Sequence, residues 1–172
     1  TRWFESTKEG LEQLEMLLKR DRNRPSIILW SVGNEEPLSL TEQGHRIMQS
    51  MKAFVKKYDT SRPVTMAVSN DPVNSMVNDI VDVIGINYNL HQYDDIHKKY
   101  PNTPIVAAEC CAVGTTRGWY LDDDPEHGYL MAYDHPTGFF RVTREGTWKH
   151  IMERPWVAGE YQWAGIEHRG ET

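Results

Sequence analysis

Hydrophobic residues recur with the period of a helix in two stretches of the chain. The first follows the sequence S-T-K-E at residues 6–9, a capping box, and places leucines at positions 11, 14, 17 and 18. The second follows another capping box, S-L-T-E at residues 39–42, and its apolar stripe continues to Tyr58. These patterns predict a helix that ends near residues 22–25 and a longer helix that ends near Tyr58. Two further helices are predicted, at residues 93–100 and at about 138–154.

Five apolar runs alternate with the helical segments and have the β-branched and aromatic composition of buried parallel strands. They span residues 26–35, 63–68, 81–88, 104–109 and 157–163. Between them, residues 71–79 are expected to form a short helix or loop, and residues 115–136 a long loop. No repeat, low-complexity tract or flexible linker divides the chain, so residues 1–172 are predicted to belong to one domain.

The alternation of strands and helices predicts an α/β fold with parallel strands joined by crossover helices. Two architectures fit this order, an open doubly wound sheet and part of a (β/α)₈ barrel. An open sheet usually carries a glycine-rich phosphate turn after its first strand, and the sequence around Gly33 lacks one. A complete barrel takes about 250 residues, so five strands in 172 residues correspond to the later part of a barrel.

Charge and composition exclude several classes of function. The net charge is −6 and no apolar run approaches the roughly 20 residues of a membrane span, so neither a nucleic acid nor a membrane is expected as a partner. The periplasm, the cell exterior and the cytoplasm all remain open as locations. The two cysteines, Cys110 and Cys111, are adjacent, and the pattern favours two small apolar residues near a strand end.

Polar and acidic residues stand where the predicted strands end. Since functional groups of parallel α/β folds collect at the carboxyl ends of strands, we expect these residues to share one edge of the sheet. The set contains three glutamates, several amides, a tyrosine, a histidine and an indole: Asn34, Glu35, Glu36, Asn70, Asn87, Tyr88, His91, Glu109 and Trp163.

Two carboxylates accompanied by amides and aromatic rings suit glycoside hydrolysis. One carboxylic acid protonates the leaving oxygen, and the other attacks the anomeric carbon or activates water. A single acid at a strand end is more often a loop residue or a helix cap than a catalyst, so the pattern alone leaves the function open. The sequence shows no Ser/His/Asp set, no Cys/His pair and no metal-ligand spacing, and neither a cofactor nor a metal is expected.

Three segments resemble glycoside hydrolase family 2, the β-galactosidase and β-glucuronidase group. RDRNRPSIILWSVGNE at residues 20–35 is similar to the family's acid/base segment, and PIVAAEC at residues 104–110 is similar to its nucleophile strand. RPWVAGEYQWAGIEHRGE at residues 154–171 resembles its last barrel strand. The resemblance implies that the five strands are the fourth to eighth strands of a (β/α)₈ TIM barrel. It also implies a retaining β-glycosidase, most similar to a β-galactosidase, that acts on a carbohydrate.

The resemblance assigns roles to individual residues. Glu35 matches the general acid/base and Glu109 the nucleophile. Asn34 matches the amide that binds the hydroxyl beside the anomeric carbon, Tyr88 the tyrosine that hydrogen-bonds the nucleophile, and Trp163 the indole at the base of the sugar pocket. Glu36 is interpreted as a loop residue or a residue behind the site. Weaker candidates for substrate binding are His91, Asn87 and Arg117.

The chain also departs from the family pattern. The first three barrel strands and the β-sandwich domains that usually precede them are not in this sequence, so further domains of a longer chain are expected. The last strand continues W-A-G-I-E-H at residues 163–168, where the family usually has W-T-G-F-D-Y. Three alternatives stay open: a cellulase- or mannanase-like enzyme of the same barrel type, a sugar-binding module without activity, and an inactive fragment.

Overall fold

Five parallel strands form one sheet in which neighbours along the chain are also neighbours in space. The computed structural model describes residues 8–111, 115–134 and 143–164. All four strand pairs are parallel, as the sequence predicts. The strands are β1 (Trp30–Asn34), β2 (Val64–Val68), β3 (Val83–Asn87), β4 (Ile105–Cys110) and β5 (Val157–Gln162).

Helical segments connect these strands. The α-helices are α1 (Lys8–Asp21), α2 (Glu42–Tyr58), α3 (Tyr93–Lys99) and α4 (Arg144–Met152), and two 3₁₀ turns span Met76–Asp79 and Leu90–Gln92. The predicted strand at residues 26–35 is shorter than expected, since residues 26–29 precede the hydrogen-bonded part. The predicted start of the fourth helix, and Ser6 of the first capping box, lie outside the described residues.

The N-terminus of α2 is capped by a different residue from the one predicted. Thr41 accepts a hydrogen bond from the Gly44 N–H through its hydroxyl at 3.1 Å, so the assignment of the cap to Ser39 was wrong. Ser39 is buried instead. Its carbonyl oxygen accepts hydrogen bonds from the Met76 N–H and the Ser75 hydroxyl, and it therefore joins the loop before α2 to the 3₁₀ turn after β2.

The apolar core lies around the central strands. All five residues of β2 are buried, as expected for a parallel strand covered on both faces. Gly85 of β3 lies so close to β2 that a Cβ atom there would stand 2.7 Å from the Met66 carbonyl oxygen. On one face of the sheet, Leu18 of α1 and Met48 of α2 are fully buried in the same cluster as the strand residues.

The strand order distinguishes between the two architectures that the sequence left open. A doubly wound sheet reverses its strand order at a switch point, whereas the order here follows the chain from β1 to β5 without a reversal. That winding is the one found in a (β/α)₈ barrel. It places the carboxyl ends of all five strands on one edge. Among the described residues, no helix is both long and apolar enough to cross a membrane.

Candidate active site

Glu35 follows the last residue of β1. Its backbone N–H donates to the Ala67 carbonyl oxygen of β2 at 2.9 Å, and its φ of 54° lies in the left-handed region. A bulky residue adopts that conformation only where the surrounding structure enforces it. The turn ends the strand and leaves Glu35 exposed. Glu36, directly after it, is 2% exposed and therefore lies behind the site, in line with the sequence interpretation.

Asn87 ties the end of β1 to the end of β3. Its side chain is fully buried, and its Nδ2 donates to Glu35 Oε1 at 2.9 Å and to Asn34 Oδ1 at 3.1 Å. In the register of the sheet, Asn87 pairs with Glu109 of β4. One buried amide therefore connects the Asn34-Glu35 pair with the strand position of the second glutamate.

Glu109 is the half-buried acid near the end of β4. The Tyr88 hydroxyl donates to Glu109 Oε2 at 3.0 Å, and the Tyr88 backbone N–H donates to the Glu109 carbonyl oxygen at 2.8 Å. This double contact fixes the tyrosine ring against the carboxylate. Tyr88 itself has a φ of 56°, so a left-handed turn also ends β3.

The charge of Glu35 acts on the ionisation of Glu109. Burial is the main cause that raises the pKa of Glu109, and the negative charge of Glu35 raises it further. Hydrogen bonds from Tyr88, Asn87 and Asn34 act in the opposite direction and favour the carboxylate. Burial, followed by the hydrogen bond to Glu109, raises the pKa of Tyr88 above its usual range. Tyr88 therefore remains a neutral hydrogen-bond donor over the whole working range of pH.

A cavity of about 510 Å³ lies at the carboxyl ends of β3 and β4. Neither glutamate is among the described residues that line it, and Tyr88 connects the cavity to Glu109. His91, in the 3₁₀ turn after β3, also lines the cavity and is exposed. Its ring nitrogen Nε2 lies 3.4 Å from Gln92 Nε2. The structure therefore places His91 next to Tyr88 at this edge of the sheet and not against the carboxylates.

Trp163 directly follows β5. Its backbone N–H donates to the Cys110 carbonyl oxygen at 3.1 Å, and the residue is 44% exposed. This bond places the indole at the same edge of the sheet as Glu109. Arg117 is exposed in the loop after β4. The roles of these residues in binding a sugar stay predictions.

Left-handed backbone at the strand ends is a feature that the sequence did not predict. Non-glycine residues with positive φ follow or end four of the five strand segments: Glu35, Asp71, Tyr88, Asn89 and Cys111. Asn and Asp tolerate this conformation, but nothing in a Glu, Tyr or Cys signals it. Strained backbone of this kind clusters at functional sites, and here it coincides with the edge that carries both glutamates.

Comparison with known proteins places the chain within a family of glycosidases. The sequence model for "Glycosyl hydrolases family 2, TIM barrel domain" matches residues 4–171. The beta-galactosidase BoGH2A of Bacteroides ovatus is 26% identical over 222 residues, covering 99% of this chain and 25% of that protein. A beta-glucuronidase of Bacteroides fragilis is 29% identical over 182 residues, covering 95% of this chain and 25% of that protein.

A solved structure of a family member has the same fold. It is a glycosyl hydrolase family 2 protein of Bacteroides cellulosilyticus, with a TM-score of 0.70 and 28% identity over 94% of this chain and 19% of its own. The predictions of the family and of a partial TIM barrel are confirmed. The chain spans about a quarter of the length of the two curated relatives.

Proposed function

Because the chain belongs to glycosyl hydrolase family 2, we propose that it hydrolyses a β-glycoside with retention of configuration. Glu109 is the nucleophile and Glu35 the general acid/base. The observation that carries this assignment is the buried Asn87 amide, which donates to Glu35 and pairs in the sheet with Glu109. Two carboxylates brought within reach of one amide can act on a single anomeric carbon.

The reaction proceeds in two displacements. Glu109, ionised, forms a bond to the anomeric carbon while the bond to the leaving oxygen breaks and Glu35 donates its proton to that oxygen. Water then attacks the same carbon, Glu35 takes a proton from it, and the bond to Glu109 breaks. The Tyr88 hydroxyl, 3.0 Å from Glu109 Oε2, orients the nucleophile and stabilises its charge whenever the carboxylate is free.

The remaining site residues bind and orient the sugar. Asn34 donates to the hydroxyl beside the anomeric carbon, where a hydrogen bond that strengthens in the transition state accelerates the reaction. The half-exposed Trp163 indole packs against the apolar face of the ring. His91, which lines the cavity beside Tyr88, and Arg117 contact substrate hydroxyls farther from the reacting carbon.

The test is turnover of a chromogenic aryl β-galactoside by the protein that contains this chain. Glu109→Gln is expected to reduce turnover to background, and Glu35→Gln to reduce it by about 10²–10⁴-fold for a substrate with a poor leaving group. Glu126→Gln, in the exposed part of the loop after β4, is the matched control and should leave turnover unchanged. Equal turnover by wild type and Glu109→Gln would contradict the assignment.

Rescue by azide separates the two roles. In Glu109→Gly, azide occupies the space of the missing carboxylate and attacks from that side, so it yields a glycosyl azide of inverted configuration. In Glu35→Gly, azide attacks the glycosyl-enzyme intermediate and yields a product of retained configuration. The opposite pairing of products would exchange the two assignments. Absence of turnover in the wild type as well would favour a sugar-binding module or an inactive fragment.

We propose a β-galactoside as the substrate because the relative that covers 99% of the chain is named a beta-galactosidase. A β-glucuronide is the second candidate, because another relative that covers 95% of the chain is named a beta-glucuronidase. Aryl β-galactoside, β-glucuronide, β-glucoside and β-mannoside should be compared by kcat/KM. Preference for the galactoside supports the first candidate, and preference for the glucoside or mannoside would favour a cellulase- or mannanase-like enzyme.

A further inference from the structure

A second group of reactive side chains lies between the carboxyl-terminal parts of β4 and β5. One ligand atom each from Cys110, Cys111 and Glu160 lie within 4.8 Å of one another. The two sulfur atoms are 2.8 Å apart, and the Cys110 thiol donates to Glu160 Oε2 at 3.4 Å. Both cysteines are buried, and Glu160 is partly buried. The adjacent cysteines belong to the apolar core, in line with the sequence interpretation, and the Cys110 thiol also contacts a carboxylate.

A buried hydroxyl group lies next to this cluster. Tyr93 of α3 is fully buried and its hydroxyl has no hydrogen-bond partner among the described residues. The ionisable groups that act electrostatically on that hydroxyl are Cys110, Glu160 and Cys111. A buried hydroxyl without a partner is costly, so a further polar group beside it would be stabilising.

The cluster also places three possible cation ligands together in a poorly solvated region. A carboxylate and two thiols stand within 4.8 Å, and loss of the thiol protons would leave like charges that repel one another unless a cation binds between them. Among the described residues, Arg144 supplies a positive charge close enough to act on Cys111. A bound cation would neutralise the thiolates and the carboxylate together.

We propose that Cys110, Cys111 and Glu160 bind a thiophilic divalent cation, of which Zn²⁺ is the common biological example. Two sulfurs and one carboxylate oxygen form a three-ligand zinc set, and water completes the tetrahedron. Binding releases the thiol protons to solvent and leaves both sulfurs as thiolate ligands. Metal–sulfur bonds of about 2.3 Å in a tetrahedral site place the two sulfurs about 3.8 Å apart. Rotation of one cysteine side chain about its Cα–Cβ bond would produce this larger separation.

The neighbouring cavity gives the cation a path to the site. Both cysteines line the cavity of about 510 Å³, together with Tyr88 and Thr147. Cys110 directly follows Glu109 in β4, so the metal would sit one residue from the proposed nucleophile but on the other side of the strand. The proposal does not depend on catalysis, because metal binding is measured without substrate.

The test is titration of the full chain with Cd²⁺ in a thiol-free buffer. Cd²⁺ bound to thiolates absorbs in the ultraviolet by charge transfer, and the chain contains only these two cysteines. One Cd²⁺ per chain is expected, with a thiolate band that Zn²⁺ removes by competition. Cys110→Ser and Cys111→Ser should each abolish or strongly reduce the band. Glu160→Gln should keep it but weaken binding by at least about tenfold.

The control is Glu126→Gln, an exposed acid in the loop after β4, which should bind Cd²⁺ as the wild type does. Circular dichroism establishes that each variant is folded. If a serine variant does not fold, alkylation of the wild type supplies the second measurement, since Zn²⁺ should protect both thiols from iodoacetamide. Cd²⁺ uptake without a thiolate band, or unchanged affinity in Glu160→Gln, would overturn the three-ligand site.

Discussion

At the scale of single residues, Asn87 is the side chain on which the geometry of the proposed catalytic pair depends. It is fully buried at the end of β3 and donates to both Asn34 and Glu35. A hydrogen bond to the charged form of an acid favours ionisation. In this way the Asn87 amide lowers the pKa of Glu109, against the larger effect of burial, which raises it. Asn87 therefore acts as a positioning residue that holds Glu35 and favours the ionised form of Glu109.

Replacement of Asn87 should displace the acidic limb of the pH–rate profile. In Asn87→Leu, Glu109 loses a donor to its charged form, so the acidic limb of kcat/KM against pH should move to higher pH. The acidic limb reports ionisation of the nucleophile. We expect a loss of about tenfold in kcat/KM at the optimum, the value of one hydrogen bond to a charged group.

The control for Asn87→Leu is Asn102→Leu, in the exposed turn before β4. That turn lies at the amino end of the strand, on the edge opposite the proposed site, so its substitution should leave the acidic limb unchanged. A loss of activity in Asn87→Leu with the acidic limb in its original position would show that the amide only supports the fold. Thermal unfolding of each variant separates that structural effect from an effect on ionisation.

At the scale of elements, the end of α2 holds the start of β1 in place. Asp59, which caps α2, accepts hydrogen bonds from the Trp30 indole at 2.9 Å, from Ser61 and from Arg62. Burial by itself raises the pKa of Asp59, but these hydrogen bonds outweigh it and hold the pKa well below its usual range. Trp30 is the first residue of β1, and Glu35 directly follows the last. The contact between Asp59 and Trp30 therefore couples the position of α2 to that of the proposed acid/base.

Asp59→Asn should destabilise the protein by about 2 kcal/mol, because Trp30 and Arg62 lose a charged acceptor. A depressed folded-state pKa contributes stability above the unfolded value of about 3.9, and that contribution is lost as the pH falls below it. The difference between wild type and Asp59→Asn, measured by urea unfolding, should therefore shrink below about pH 4. Asp122→Asn, on an exposed loop, should change stability by less than about 0.5 kcal/mol. A difference that does not vary with pH would contradict this account of Asp59.

The sequence predicted the elements well and one side-chain contact, the hydrogen bond from Tyr88 to Glu109, but not the other contacts. Glu35 and Glu109 could be placed on one edge because the carboxyl ends of parallel strands meet there. The hydrogen bond from Asn87 to Glu35 crosses 52 positions and depends on the register and twist of the sheet, which periodicity does not encode. The proximity of Glu160 to Cys110 has the same origin. Thr41, two positions after Ser39, caps α2, and packing buries Ser39 instead.

At the scale of the whole molecule, the sheet has two open edges. Among the described strands, β1 and β5 each pair with a single neighbour. We propose that residues 1–172 form one part of a single catalytic barrel, completed in a longer protein by the strands that join β5 to β1. The large apolar side chains near these edges support this proposal, since Ile28 is 66% and Tyr161 50% exposed. Unpaired parallel edges with such residues favour association between chains.

The chain expressed alone should therefore self-associate through these edges, and charges placed there should oppose it. Ile28→Lys with Tyr161→Lys is expected to shift the chain from oligomers towards monomers in sedimentation velocity, because a lysine on an open edge opposes strand pairing. Leu121→Lys is the matched control, since Leu121 is 65% exposed on the loop after β4 and should not change association. In a protein that contains the complete barrel, these two edge positions become buried, so the same pair of lysines should lower stability instead. A chain that is monomeric without the substitutions would contradict open edges as the sites of association.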